Sequence, residues 1–162
     1  MKKIILATLF FPIFAFANST SFLSISVGEI SDGFVDEALY GAAFSNVVDD
    51  KTLIGLSYME VSDLDVSATG VSAAYAFDSF SSGSMYVGIG YADSDPGDGS
   101  TSYSIGYAKI SGNGTDFNLS ATSTEGSVMY GISVTTDSGL SFGISEEDGV
   151  SIASVGLRLA LN

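Results

Sequence analysis

The sequence contains no cysteine, no histidine and no tryptophan, and the first two absences remove whole classes of chemistry. Without cysteine there are no disulfides, thiolate nucleophiles or thiolate zinc sites. Without histidine there is no Ser-His-Asp triad and no imidazole-ligated metal. Bases are scarce too: five Lys and Arg stand against 19 Asp and Glu, a formal net charge of -14. The chain is nevertheless 46% hydrophobic with a mean hydropathy of +0.37, which argues against disorder, because disordered chains combine charge imbalance with low hydrophobicity. At 162 residues it is one domain's worth of protein.

Long apolar runs are also missing, with one exception at the N-terminus. Residues 1–17 read as a signal peptide: basic Lys2 and Lys3, an apolar run from Ile4 to Phe16, and Ala15-Phe16-Ala17 with small residues where a signal peptidase inspects them. A membrane anchor needs roughly 20 apolar residues, and this run ends sooner, at Asn18. Cleavage leaves residues 18–162 as a single domain with 19 acids and three bases, a charge of -16.

In the remainder, hydrophobicity alternates. Leu23, Ile25 and Val27 are interleaved with Ser24, Ser26 and Gly28. The same beat runs through Ile54-Leu56-Tyr58, Met85-Val87-Ile89-Tyr91, Tyr103-Ile105-Tyr107, Leu140-Phe142-Ile144 and Val155-Leu157-Leu159-Leu161. Period two means strands with one apolar face. Nine turn-forming clusters rich in Gly, Ser, Asp and Asn, such as Asp137-Ser138-Gly139, delimit ten strands; eight, with one irregular hairpin, is the alternative count.

The face opposite the apolar one decides the class. It is dominated by Gly, Ser, Ala and Thr rather than by the Lys, Glu and Arg that coat a soluble sheet. Small polar side chains suit a crowded lumen, and strands of about 9–11 residues cross a bilayer at a tilt. Closure removes edges that lipid would leave unpaired. The expected fold is therefore all-β, a closed antiparallel up-and-down transmembrane β-barrel, with an exported soluble β-sandwich as the competing class.

With its signal peptide, strands such as Ser84-Met85-Tyr86-Val87-Gly88-Ile89-Gly90-Tyr91 and the closing Val155-Gly156-Leu157-Arg158-Leu159-Ala160-Leu161, the chain resembles the small bacterial outer-membrane β-barrels, the group of the outer membrane protein A transmembrane domain and opacity-type proteins. The resemblance implies an outer-membrane address and insertion by the barrel-assembly machinery. Members of that group usually finish on an aromatic residue, whereas this sequence ends at Asn162.

Charge supplies an independent test. With the first strand rising from the periplasm, the outer half holds Glu29, Asp32, Asp36, Glu37, Glu60, Asp63, Asp65, Asp93, Asp95, Asp98, Glu125, Glu146, Glu147 and Asp148, and no base. The inner half mixes Asp49, Asp50, Asp78, Asp116 and Asp137 with Lys51, Lys109 and Arg158. Tyr58, Tyr91 and Tyr103 fall near outer strand ends and Phe44, Phe77 and Phe117 near inner ones, where interfacial girdles belong.

An acidic outer rim concentrates cations. Bridging Mg²⁺ or Ca²⁺ would reconcile it with anionic lipopolysaccharide, and the densest cluster, Asp93, Asp95 and Asp98, is the candidate metal site, although its spacing departs from a helix-loop-helix calcium loop. Arg158, opposite Leu157 and Leu159 in parity, points into the lumen and needs a partner, for which Asp116 is the best placed carboxylate. Lys109 continues the Tyr107 face and snorkels to the inner interface. No catalytic site is expected: Asp63 with Asp65, or Glu146 with Glu147, offers a shared proton only in open, wet loops. No prosthetic cofactor and no nucleic acid is implied. The leading expectation is a structural or surface-interaction barrel with an acidic extracellular rim. A narrow cation-favouring channel comes second, and an adhesin third.

Overall fold

The computed structural model describes residues 21–33, 36–62, 65–110 and 115–161. The leader, the Asp63 carboxylate and Asn162 lie outside that set. Ten strands form one closed, wholly antiparallel sheet: β1 (Ser21–Ser31), β2 (Asp36–Asp49), β3 (Thr52–Val61), β4 (Val66–Ala76), β5 (Ser84–Asp95), β6 (Ser100–Lys109), β7 (Asp116–Thr124), β8 (Ser127–Thr135), β9 (Leu140–Glu147) and β10 (Val150–Leu161). Each strand pairs with its sequence neighbours, and β1 closes the circle on β10, Ser21 opposite Leu161 and Ser31 opposite Ser151. The ten-strand count holds over eight.

Two hairpins show why the sequence turns where it does. Glu125-Gly126 and Asp148-Gly149 are two-residue connections with positive φ at both positions (51° and 92°, 48° and 84°), the geometry whose twist matches paired strands and which favours glycine in second place. At the opposite end the Asp49 carboxylate closes the β2–β3 turn by accepting the backbone N–H groups of Lys51 (2.8 Å) and Thr52 (2.6 Å).

Carrying the pairings once around the barrel returns to β1 roughly a dozen residues from the start. For ten strands that stagger sets a tilt of roughly 40° and a radius of roughly 10 Å. A ten-residue strand at that tilt climbs about 25 Å, the height of a lipid-facing band.

The apolar alternation faces outward. Ile25, Leu56, Val71, Ile105, Leu119, Ile144 and Leu159 are each more than half exposed on the barrel exterior, while their sequence neighbours Ser24, Ser57, Ser72, Ser104, Ser120, Ser145 and Arg158 turn inward and are buried or half-buried. A β-sandwich would reverse this, with apolar residues meeting in a core and serine facing water; the soluble alternative is overturned. Tyr40, Tyr58, Tyr91, Tyr103 and Tyr130 are exposed towards one end of the belt, and Phe44, Tyr75, Phe77 and Phe142 towards the other.

Candidate functional site

Any activity of a closed barrel resides in its lumen or at its rims, and the lumen here has three levels. Wherever the two-residue beat breaks, an apolar residue joins its outward-facing neighbour and turns inside instead: Phe22 beside Leu23, Leu39 beside Tyr40, Leu53 beside Ile54, Met59 beside Tyr58, Met129 beside Val128. These off-beat residues gather into two separate clusters, one towards each mouth.

The cluster on the side of the chain termini contains Phe22, Val47, Leu53, Ala76, Phe80, Tyr86 and Ile110. Phe80, only 1% exposed, is supplied by the β4–β5 connection rather than by a strand. That connection folds into the mouth and is pinned there: Phe80 N–H donates to the Asp50 carbonyl (3.0 Å), and Ile110 N–H to the Phe80 carbonyl (2.8 Å). Tyr86 lies against its cross-strand partner Gly106, where an added Cβ would stand 2.7 Å from ring atoms Cε1 and Cζ. Its hydroxyl donates to Asn118 Oδ1 at 3.0 Å.

Across the lumen the same level is completed by charge. Arg158 Nη2 of β10 donates to Asp116 Oδ2 of β7, strands separated by β8 and β9 in the sheet. Both residues are buried, and the guanidinium lies 5.0 Å from the centroid of the Phe22 ring. The pair joins the β7–β10 wall to the aromatic half of the plug. Arg158 Nη1 has no protein partner among the described residues.

The second cluster, towards the hairpin end, comprises Ile30, Leu39, Met59, Val61, Ala68, Ala92, Met129 and Ile152, with Val66 and Val150 against it. Between the two layers lies a cavity of about 150 Å³. Its wall is made of Ser24, Ser26, Ser120, Thr122, Ser133 and Ser145 with glycines such as Gly41, Gly131 and Gly143, and no charged side chain lines it. Ser and Gly at these inward positions leave the space that larger residues would fill.

Among the candidates raised by the sequence, Arg158 and Asp116 are thus brought into contact, whereas Asp93, Asp95 and Asp98 are not assembled into a centre. No three His, Cys, Asp or Glu side chains among the described residues are grouped to hold a metal ion. The physical reason is that β5 continues through Asp95, so Asp93 and Asp95 stand about 7 Å apart along an extended strand, exposed, with Asp98 in the turn that follows. The acids themselves do collect at the hairpin end: Glu29, Asp32, Asp36, Glu60, Asp65, Glu125, Glu146 and Asp148 sit at or beside the odd-numbered turns. Tyr58 Oη there donates to Glu60 Oε2 at 3.0 Å. Glu37 and Glu147 share the inward parity of Leu39 and Ser145 and are half-buried.

Phe80 and the two apolar layers were not anticipated from the sequence. Paired apolar residues at strand ends, and a lone aromatic inside Ser79-Phe80-Ser81, are the signals that mark them.

No family model matches the chain, and no curated protein sequence does. Solved structures do. The KdgM porin, in a complex with disordered oligogalacturonate, superposes with a TM-score of 0.56 at 9% identity over 86% of this chain and 99% of that one. A structure described as de novo design of transmembrane β-barrels gives 0.52 at 8% identity over 91% and 100%. At such identities the likeness concerns fold alone: the chain has the architecture of transmembrane β-barrels of the outer-membrane type.

Proposed function

We propose that this protein is a small outer-membrane β-barrel with a structural or surface-interaction role, resting in a closed state, its acidic hairpin end facing the exterior. The observation that carries the closed state is the pair of apolar layers, one built on Phe22, Phe80 and Tyr86 and the other on Leu39, Met59 and Ile152, which narrow the lumen on either side of the cavity. An apolar constriction resists hydration and so resists ions. The apolar exterior supports the membrane address, because water would not tolerate so continuous a band. At the outward end the carboxylates carry a diffuse layer of Mg²⁺ or Ca²⁺ shared with anionic lipopolysaccharide headgroups, and insertion proceeds through the barrel-assembly machinery. Catalysis is not part of this reading.

A second reading, a narrow cation-favouring channel, draws on the polar cavity and on the likeness in fold to a porin. Planar-bilayer recording decides between the two. The closed reading predicts no step-like current from the purified protein. Frequent cation-selective steps, weakened by Asp93→Asn, Asp95→Asn and Asp98→Asn together, would overturn it in favour of the channel.

A further inference from the structure

The mid-barrel cavity is both roomy and chemically specific. Its volume of about 150 Å³ accommodates roughly five water molecules at liquid density, hence also an organic molecule of three or four carbons. Ser133 is 6% exposed, lies on the cavity wall, and its Oγ has no protein partner among the described residues. A buried hydroxyl left in that condition costs free energy unless something in the cavity bonds to it. Further along the wall, Ser120, Thr122 and Ser145 add hydroxyls that both donate and accept. Arg158, the one buried base among the described residues, is already engaged by Asp116 and does not line the space. The cavity therefore has nothing to neutralise an ion.

Its outer boundary is different in kind. Leu39, Met59, Met129 and Ile152 belong both to the apolar layer and to the cavity wall. A molecule held there meets hydroxyls at its side and hydrocarbon or thioether above, the combination that matches a chain bearing alternate C–H and O–H faces. Met59 and Met129 also have unbranched, adaptable side chains at the level a ligand from the acidic end would cross.

We infer that the lumen holds a binding site for a small uncharged polyol, with Ser133 as a direct hydrogen-bonding group and Met59 and Met129 as the passage from the outer mouth. The site is independent of whether the barrel conducts, so its failure leaves the closed-barrel reading intact.

The test is amide chemical-shift titration of the isotopically labelled full-length mature protein in detergent micelles with meso-erythritol, using potassium acetate as the charged control. Saturable shifts at Gly131, Ser133, Gly143 and Ser145 are expected, with none from acetate. Ser133→Ala weakens binding about five-fold, the worth of one neutral hydrogen bond. Gly131→Val abolishes it by filling the cavity: a Cβ at Gly131 meets Ser120 Oγ at 3.3 Å and Ser145 Cβ at 3.6 Å, so the added methyl groups extend into the open space. Each variant is first checked for heat-modifiable gel mobility, and if Gly131→Val fails to fold, Ser133→Ala carries the comparison. Shifts that stay linear in erythritol, that fall on the barrel exterior, or that are unchanged by Ser133→Ala overturn the assignment and leave the cavity to water.

Discussion

Replacing Asp116 by leucine strands the Arg158 guanidinium in the floor of the barrel. Arg158 is 9% exposed, its Nη1 already lacks a protein partner among the described residues, and its Nη2 would lose the carboxylate. Breaking a buried ion pair from one side costs about 3–5 kcal/mol in proteins generally. Here the Phe22 ring, 5.0 Å away, retains part of the stabilisation, which puts Asp116→Leu at the low end, about 3 kcal/mol. Arg158→Met leaves the opposite charge buried and costs about the same. The double variant removes both charges and fills the space with apolar atoms, so it stays within about 1 kcal/mol of the parent. The two substitutions should then be non-additive by roughly 5 kcal/mol. Reversible urea unfolding in detergent or lipid vesicles, followed by heat-modifiable mobility and far-ultraviolet circular dichroism, measures all four proteins. Additive losses, or an Asp116→Leu variant as stable as the parent, would refute the claim that this pair ties the two halves of the floor together.

Phe80→Ala removes the side chain that the β4–β5 connection inserts into the mouth and should cost about 3 kcal/mol, read by urea unfolding. Gly106→Ala drives a methyl group into the Leu119 carbonyl oxygen and the Tyr86 ring and should cost about 3 kcal/mol, while Tyr86→Phe, losing the hydroxyl's bonds to Asn118 and Ser120, should cost about 1–2 kcal/mol. The Asp49 carboxyl is held below the ordinary carboxylate range, chiefly by the Lys51 N–H and also by the bonds from Thr52. Because its folded value is depressed, its contribution to the turn is present above the ordinary value and is lost as pH falls through the lowered one. An NMR titration of the side chain checks the direction.

The exterior is legible in the amino-acid sequence because lipid imposes one rule on every strand: each second residue must be apolar. Ile25, Leu56 and Ile144 obey it, and strand count and facing direction follow. The Arg158–Asp116 contact is legible for a narrower reason. Inward charges are so few that Arg158 has one well-placed partner on its level. Phe80, Met59 and Met129 are harder, since their positions across the lumen depend on the stagger of the closed sheet, which joins strands far apart in sequence. For Asp93, Asp95 and Asp98 the sequence says less, because closeness along an extended strand does not by itself bring side chains into one coordination sphere.

The absence of native cysteine makes the central claim directly measurable. Single-cysteine variants at consecutive positions 54–58 of β3, spin-labelled in a reconstituted bilayer, report which side chains meet lipid. Labels at Ile54, Leu56 and Tyr58 are expected to collide with dissolved oxygen and to be shielded from a polar nickel reagent, while labels at Gly55 and Ser57 lose that lipid signature. The opposite phase, or equal access of the nickel reagent to all five positions, would contradict an apolar face turned towards acyl chains.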